Sequence, residues 1–366
     1  MRRHWHRKPH LVRQAIAGFP GFLDRAAMVR LAQRDDVESR IVIRNGRSWA
    51  VHHGPFRRRD FTGLPSTNWT LLVQGVNLHD ERGADLLEAF SFLPYARLDD
   101  LMVSYAAPGG GVGPHFDSYD VFLLQGSGRR RWRISTQDDL TLREDLPLRL
   151  LRKFRAEQEW ILEPGDMLYL PPSHAHEGVA LDECFTYSVG FRAPAFTELA
   201  SQFLQDFADR LELPGRYEDA GAAPVTTPGR LPARLVEASC KALSRIRWTH
   251  GDVEAFLGRF LSEPKPQVFF DPPARALSER DFRRHLGRHA LRLHGKSLMI
   301  YSAHTVFLNG ETYQFPRGVP PLLRELADRR AVQGTDLPSA MAALLRDWHA
   351  SGYAYFSLPG RRHANG

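Results

Sequence analysis

Cysteine is scarce in this chain: Cys184 and Cys240 are the only two among 366 residues. Neither belongs to a C-x-x-C pair, so no disulfide framework and no cysteine zinc site is readable, and a reducing compartment is expected. Long apolar runs are also missing. No stretch approaches the ~20 apolar residues that cross a bilayer, so no membrane span is expected. The opening "MRRHWHRKPHLVRQAIAGFPGF" is basic but lacks an unbroken apolar core, which argues against a secretory signal and for a cytoplasmic protein. No internal repeat is visible. Acidic residues fall short of basic ones, 42 against 49, leaving a net charge of +7. That sign favours nucleic acid, an anionic membrane surface or a small dianion as partner. For the chain as a whole, arginines that merely solvate the surface are the preferred reading.

What is present is a globular composition. Hydrophobic residues make up 43%, with 22 Phe and 7 Trp, and charged residues 25%, which supports a large core and argues against disorder. The length suggests two or three domains. Residues 1 to about 90 read as mixed: a helix capped by Asp24, two strands joined at Asn45-Gly46, and a helix at "DLLEAFSFL". From about 92 to 195 the chain breaks into short β-prone runs cut by Gly and Pro, among them "DDLMVSYA", "YDVFLLQG", "RRRWRIS" and "MLYLP" after the tight turn "EPGD". Many short strands with turn signals predict a sandwich or barrel. Near Phe196 the period changes. Leu199, Phe203, Phe207 and Leu211 recur on one helical face, and a Pro/Gly/Ala-rich loop and further helices follow to about 265. Small helices with such apolar faces predict a dimerisation region. Residues 266–366 read as helices around a hairpin at Asn309-Gly310, with Ser278 capping the first helix, a plan that predicts a winged helix.

The chemistry concentrates in "GVGPHFDSYDVFLLQGSGRRRWRI" (111–134). On a strand, residues two apart point to one face, so His115 and Asp117 there would aim an imidazole and a carboxylate at one point. A non-haem Fe(II) oxygenase holds its metal with two His and one carboxylate and keeps the other positions open for cosubstrate and O2. The second His comes from "LYLPPSHAHEGVA", where His174 and His176 both qualify by spacing. His176, followed by Glu177-Gly178 at a strand start, is preferred. H-x-D pairs are common at protein surfaces; the later His, the intervening strands and the "EPGD" turn are what lift this one above that background. Oxygenases of this type commonly use 2-oxoglutarate, whose far carboxylate suits a guanidinium. Along "GRRRWRI", alternation puts Arg130 with Trp132 on one face and Arg129, Arg131 and Arg133 on the other. The alternative is that all four arginines face solvent.

These two segments, "PGGGVGPHFDSYDVFLLQGSGRRRWRI" and "LYLPPSHAHEGVALDECFTYSVGFRAP", resemble the JmjC ribosomal oxygenases, in particular the bacterial branch that hydroxylates ribosomal-protein arginines. The likeness runs through nearly the whole chain, including "HWHRKPHLVRQA" near the start. It implies a mainly β fold with α: a double-stranded β-helix (jelly-roll or cupin) JmjC core within residues 1–195, a helical dimerisation region at 196–265 and a winged helix at 266–366. It implies iron ligands His115, Asp117 and His176, Arg130 on the C5 carboxylate of 2-oxoglutarate, and Ser104 assisting that carboxylate. The extra His174 in "PSHAHEG" departs from the family pattern. The implied reaction uses Fe(II), 2-oxoglutarate and O2 to hydroxylate the β-carbon of an arginine in the sixteenth large-subunit ribosomal protein. Tyr119, Asp120, Tyr187 and Ser188 are candidate partners for the substrate guanidinium. Other readings are a histidine or lysine of a ribosomal protein as target, a cupin metalloenzyme acting on a small molecule, or a non-enzymatic nucleic-acid binder working through "RRHLGRHALRLHGK" (283–296). A homodimer is expected; RNA contact is allowed by the plan but not required by it.

Overall fold

In the computed structural model of the chain, residues 3–334 and 337–357 are described. Its strands, in chain order, are β1 (His10–Val12), β2 (Ser39–Asn45), β3 (Ser48–His53), β4 (Trp69–Val73), β5 (Leu98–Ala106), β6 (Val121–Gln125), β7 (Arg130–Ser135), β8 (Gln158–Leu162), β9 (Met167–Leu170), β10 (Ala175–Ala180), β11 (Cys184–Phe191), β12 (Leu291–Leu293), β13 (Met299–Tyr301), β14 (Thr305–Leu308), β15 (Glu311–Gln314), β16 (Ala331–Val332) and β17 (Ala354–Phe356). The helices are α1 (Arg25–Ala32), α2 (Arg58–Thr62), α3 (Glu81–Glu88), α4 (Phe196–Ala208), α5 (Ala233–Leu243), α6 (His250–Ser262), α7 (Glu279–Leu286), α8 (Pro321–Arg329) and α9 (Ser339–Ala350).

An eight-stranded sheet, ordered β1-β9-β6-β11-β5-β4-β2-β3, and a three-stranded sheet, β10-β7-β8, make the β core. Period-two alternation sorts side chains between two interiors. On β6, Phe122 and Leu124 join the large cluster that also takes Met28 and Ala32 of α1 and Leu86 and Leu87 of α3. Val121 and Leu123 turn the other way, to Trp132, Ile134, Leu162, Leu168 and Leu170. That second cluster fills only part of the space between the sheets, and the remainder is a cavity.

Local signals account for the joints. Asp24 caps α1 by accepting from the Ala27 amide at 2.6 Å, a contact worth about 1 kcal/mol. Gly165 takes φ +92°, which lets the "EPGD" turn close before β9. Asn309 and Gly310 both have positive φ and sit between the paired Leu308 and Glu311, as a two-residue hairpin requires. The first hairpin differs from expectation by one residue. Asn45 pairs with Ser48, so Gly46 and Arg47 form the loop.

The chain forms two compact units that are not consecutive blocks. The first contains Met1–Ala193, Pro264–Ile300 and Pro320–Gly366; the second contains Pro194–Glu263 and Tyr301–Val319. The sequence boundary at 265/266 therefore does not separate compact bodies: the β14–β15 hairpin belongs with α4–α6. Gly258 of α6 explains the association. A Cβ there would lie 2.3 Å from the Phe307 ring, so only glycine lets the helix and hairpin approach so closely.

Candidate metal centre

His115, Asp117 and His176 converge, with ligand atoms all within 4.8 Å of one another. The route differs from the expectation in one respect. His115 and Asp117 do not lie on a regular strand; residues 107–120 form a connection between β5 and β6, broken by Pro108, Pro114 and the positive-φ Gly109 and Gly113. One isolated bridge supplies what a ladder would have. The His115 amide donates to the His176 carbonyl at 3.0 Å, and the His176 amide donates back at 2.8 Å. The Ser173 amide donates to the Asp117 carbonyl at 2.7 Å, which brings the carboxylate alongside.

Both imidazoles are oriented from behind. His115 Nδ1 lies 2.9 Å from the Gly113 carbonyl and His176 Nδ1 lies 2.8 Å from the His174 carbonyl. A carbonyl on Nδ1 selects the tautomer that leaves Nε2 as a lone-pair donor. His176 Nε2 stands 3.6 Å from Asp117 Oδ2. Burial, then the neighbouring His115, pushes the His176 imidazole down to about 4, so it is neutral near pH 7, the form that binds a metal. Two imidazoles and a carboxylate in this set fit a divalent ion of the Fe(II) type. His174 stands apart. It precedes β10, its Nδ1 faces the Pro172 carbonyl, and it does not line the cavity.

The three residues line one cavity of about 470 Å³. Alternation on each strand decides which neighbours join them: Thr70 and Leu72 from β4, Asp100, Met102 and Ser104 from β5, Ser188 and Gly190 from β11. From β7 come Arg130 and Trp132, and from β10 comes Gly178, where a Cβ would meet the Trp132 ring at 2.7 Å.

Arg130 is 5% exposed, so the alternative that all four arginines face solvent fails. Its Nη1 donates to Ser104 Oγ at 3.3 Å, while its buried Nε and Nη2 have no hydrogen-bond partner among the described residues. Thr70 Oγ1, also in the cavity wall, is likewise buried without one. A buried cation with orphaned donors is costly unless an anion completes it. The donor set fits the carboxylate of a small dianion such as 2-oxoglutarate.

Among the substrate-contact candidates, Tyr119 and Ser188 line the cavity. Tyr187 and Asp120 do not. Successive residues in this regular part of β11 face opposite sides, and Tyr187 turns into the opposite core, where its hydroxyl accepts from the Phe22 and Leu23 amides. Asp120 is fully buried beneath the barrel, accepting from the Tyr169 hydroxyl at 2.6 Å and from Arg97, with His6 Nε2 at 3.0 Å. Sequence reasoning missed Asp100. Stepping by two along β5 from Ser104 would have found it. Burial pushes its carboxyl up, and Lys265, 3.4 Å away, opposes that shift.

Comparison with known proteins agrees with this architecture. Residues 85–199 match the JmjC domain and residues 245–355 match the ROXA-like winged helix. The chain is 35% identical to the ribosomal protein uL16 3-hydroxylase of Escherichia coli, covering 97% of this chain and 96% of that one. It is 37% identical to a probable ribosomal oxygenase of Haemophilus influenzae, over 57% of this chain and 52% of that protein. The solved structure of the Escherichia coli ribosomal oxygenase YcfD with cobalt and 2-oxoglutarate superposes with a TM-score of 0.81, at 33% identity over 97% of this chain and 96% of that one. With the β core, the His115–Asp117–His176 cluster that could hold a metal and a similarity that runs the length of both chains, this protein belongs to the JmjC-domain ribosomal oxygenases.

Proposed function

We propose that this protein is an Fe(II)- and 2-oxoglutarate-dependent dioxygenase that hydroxylates the β-carbon of an arginine in the ribosomal protein uL16. The observation that carries the reading is the pairing, in one cavity, of the His115–Asp117–His176 cluster with a buried Arg130 whose Nε and Nη2 lack partners. With iron and cosubstrate bound, the site supplies oxidative decarboxylation of 2-oxoglutarate by O2, yielding succinate and CO2 and delivering one oxygen atom to a C–H bond. The chain's own task is to hold and orient. His115, Asp117 and His176 hold the metal. Arg130 and Ser104 take the far carboxylate of 2-oxoglutarate. Asp100, with Ser188 and Tyr119 on the same wall, offers a buried carboxylate and hydroxyls to a substrate guanidinium. Opposite charges at the two ends of one cavity orient an anionic cosubstrate and a cationic side chain without exchanging them.

The helical unit supports a homodimer. No residue of α5 is buried, and Phe196, Leu204, Leu243 and Trp248 are all more than half exposed. Large apolar side chains of that kind in one small unit suit a partner surface. A ribosomal-protein substrate fits work in the cytoplasm, and among the described residues no helix is long and apolar enough to cross a membrane.

Mass spectrometry of uL16 from cells with and without this protein tests the reading. One arginine should carry one added oxygen atom only when the protein is present and should lose it in a His115→Ala strain. An unmodified uL16 in the wild-type strain overturns the assignment.

A further inference from the structure

Lys265 follows α6, at the end of the region that the sequence assigns to dimerisation. Its Nζ instead reaches the wall of the cavity, 3.3 Å from Asp99 Oδ1 and 3.4 Å from Asp100 Oδ2. Both carboxylates line the cavity. Asp100 is 3% exposed, and every donor it receives among the described residues falls on one oxygen: Oδ2 accepts from Gln74 Nε2 at 2.8 Å, from the Gly75 amide at 3.1 Å and from Lys265. Oδ1 receives none of them. It lies on the side of Gly190, another residue of the cavity wall, where a Cβ would stand 3.8 Å away.

We infer that Lys265 is a positioning residue for the substrate: its ammonium pairs with Asp100 Oδ2 and keeps the carboxylate turned so that Oδ1 faces the incoming guanidinium. The inference rests on reading the cavity as the site of arginine hydroxylation. Its physical basis is the shortage of other cations. Gln74 and the Gly75 amide are neutral donors. Arg192 sits at 3.5 Å from Asp99 rather than on Asp100. Arg40 and Tyr119 share the cavity wall without forming an ion pair to Asp100, and the remaining charged groups there are those of the metal cluster, Arg130 and Arg149. Without Lys265, a buried carboxylate next to the charge of Asp99 takes up a proton more readily. It then meets the substrate as a neutral acid and loses a charge-assisted pair.

A rival role makes the opposite prediction. If Lys265 merely occupied the place of the substrate cation, its removal would tighten substrate binding.

The test uses the full chain loaded with Fe(II) and uL16 as substrate. In Lys265→Met and in Lys265→Gln, KM for uL16 at pH 7 should rise about ten- to hundredfold, the usual worth of a hydrogen bond to a charged partner. The KM for 2-oxoglutarate should not move. Raising the pH should recover much of the loss, because Asp100 ionises again, and Lys265→Arg should restore it at pH 7. Calorimetric binding of uL16 to the metal-free variants should weaken by the same factor. A lower or unchanged KM in both neutral variants, or a loss equal at every pH, overturns the positioning role while leaving the hydroxylase reading intact. Wild-type protein that fails to hydroxylate uL16 overturns that reading, and the positioning role with it.

Discussion

Replacing Arg130 with Met should separate the two costs that this residue carries. In the protein without cosubstrate, the guanidinium is 5% exposed, touches Ser104 Oγ at 3.3 Å, lies 5.7 Å from the Trp132 ring centroid, and leaves Nε and Nη2 without partners. An uncompensated buried charge costs several kcal/mol, and a methionine of similar volume keeps most of the packing. The metal-free variant should therefore be as stable as the wild type to within about 1 kcal/mol, or more stable. Binding behaves oppositely. A bidentate guanidinium–carboxylate pair at a buried site is worth about 3–5 kcal/mol, since each charge-assisted bond contributes about 1.5–3 and the two are not fully additive. Its loss corresponds to about two to nearly four orders of magnitude in 2-oxoglutarate affinity. Thermal unfolding with and without 2-oxoglutarate, at fixed divalent metal, reads both effects. The wild type should gain stability with cosubstrate, and Arg130→Met should start at least as high and gain almost nothing. Arg130→Lys keeps the charge but not the fork, so about a tenfold weakening is expected. A variant that unfolds far below the wild type while still responding to 2-oxoglutarate would show that Arg130 is a structural cation, and would refute the argument.

Three further outcomes follow from the same geometry. His174→Ala should keep metal binding and turnover, whereas His176→Ala should lose both; calorimetric titration with Co(II) or Mn(II) compares them directly. Tyr187→Phe should lower stability by about 1–2 kcal/mol, because two buried amides lose their acceptor, and leave KM for uL16 unchanged; chemical denaturation and steady-state kinetics check the two halves. Asp166 ties the N-terminal strap to the barrel: burial alone would raise its carboxyl, but bonds from the Glu163 and Gln14 amides and from Arg13 outweigh this and hold it below the ordinary range. A folded value below the unfolded one gives stability that is present above the ordinary carboxylate value and is lost as pH falls through the folded one. Asp166→Asn should accordingly flatten the acid end of the stability profile in a denaturant series run from neutral pH to pH 3.

Local rules made much of this protein legible, and distance hid the rest. The Asp24 and Ser278 caps and the Asn309-Gly310 turn are short-range chemistry, and each sits where the sequence places it. Arg130 and Trp132 share a buried face because alternation on a strand leaves no other choice. The H-x-D pair misled in detail. Two prolines and two positive-φ glycines keep residues 107–120 out of any ladder, so a rule about strands reached the right neighbours by the wrong local structure. Naming both Tyr187 and Ser188 broke the same alternation rule that had placed Arg130, and only Ser188 faces the cavity. Asp120 could not have been placed from its neighbours. Its burial depends on Tyr169 and on His6 of the N-terminal strap, residues remote in sequence. Lys265, 165 positions from Asp100, was invisible for the same reason.

Strand β5 carries groups of opposite character at two ends of one cavity. Asp100, Met102 and Ser104 occupy successive positions on its cavity face, so the carboxylate and the hydroxyl stand about 13 Å apart at ~3.3 Å per residue. Ser104 meets Arg130 across the cavity, which makes that end cationic; Asp100 makes the other end anionic. The alternate residues Leu101, Val103 and Tyr105 point into the large core and are at most 1% exposed, so neither Asp100 nor Ser104 can shift by a residue without dragging a core side chain into the cavity. Register is therefore set by packing on one face and expressed as charge separation on the other. A substitution in the core face of β5, such as Val103→Ala, loosens the restraint on both ends together. A change at Ser104 or Asp100 should touch one ligand alone, and kinetics in which the two KM values move independently for the cavity-face changes and jointly for the core change would distinguish this coupling from a simple loss of stability.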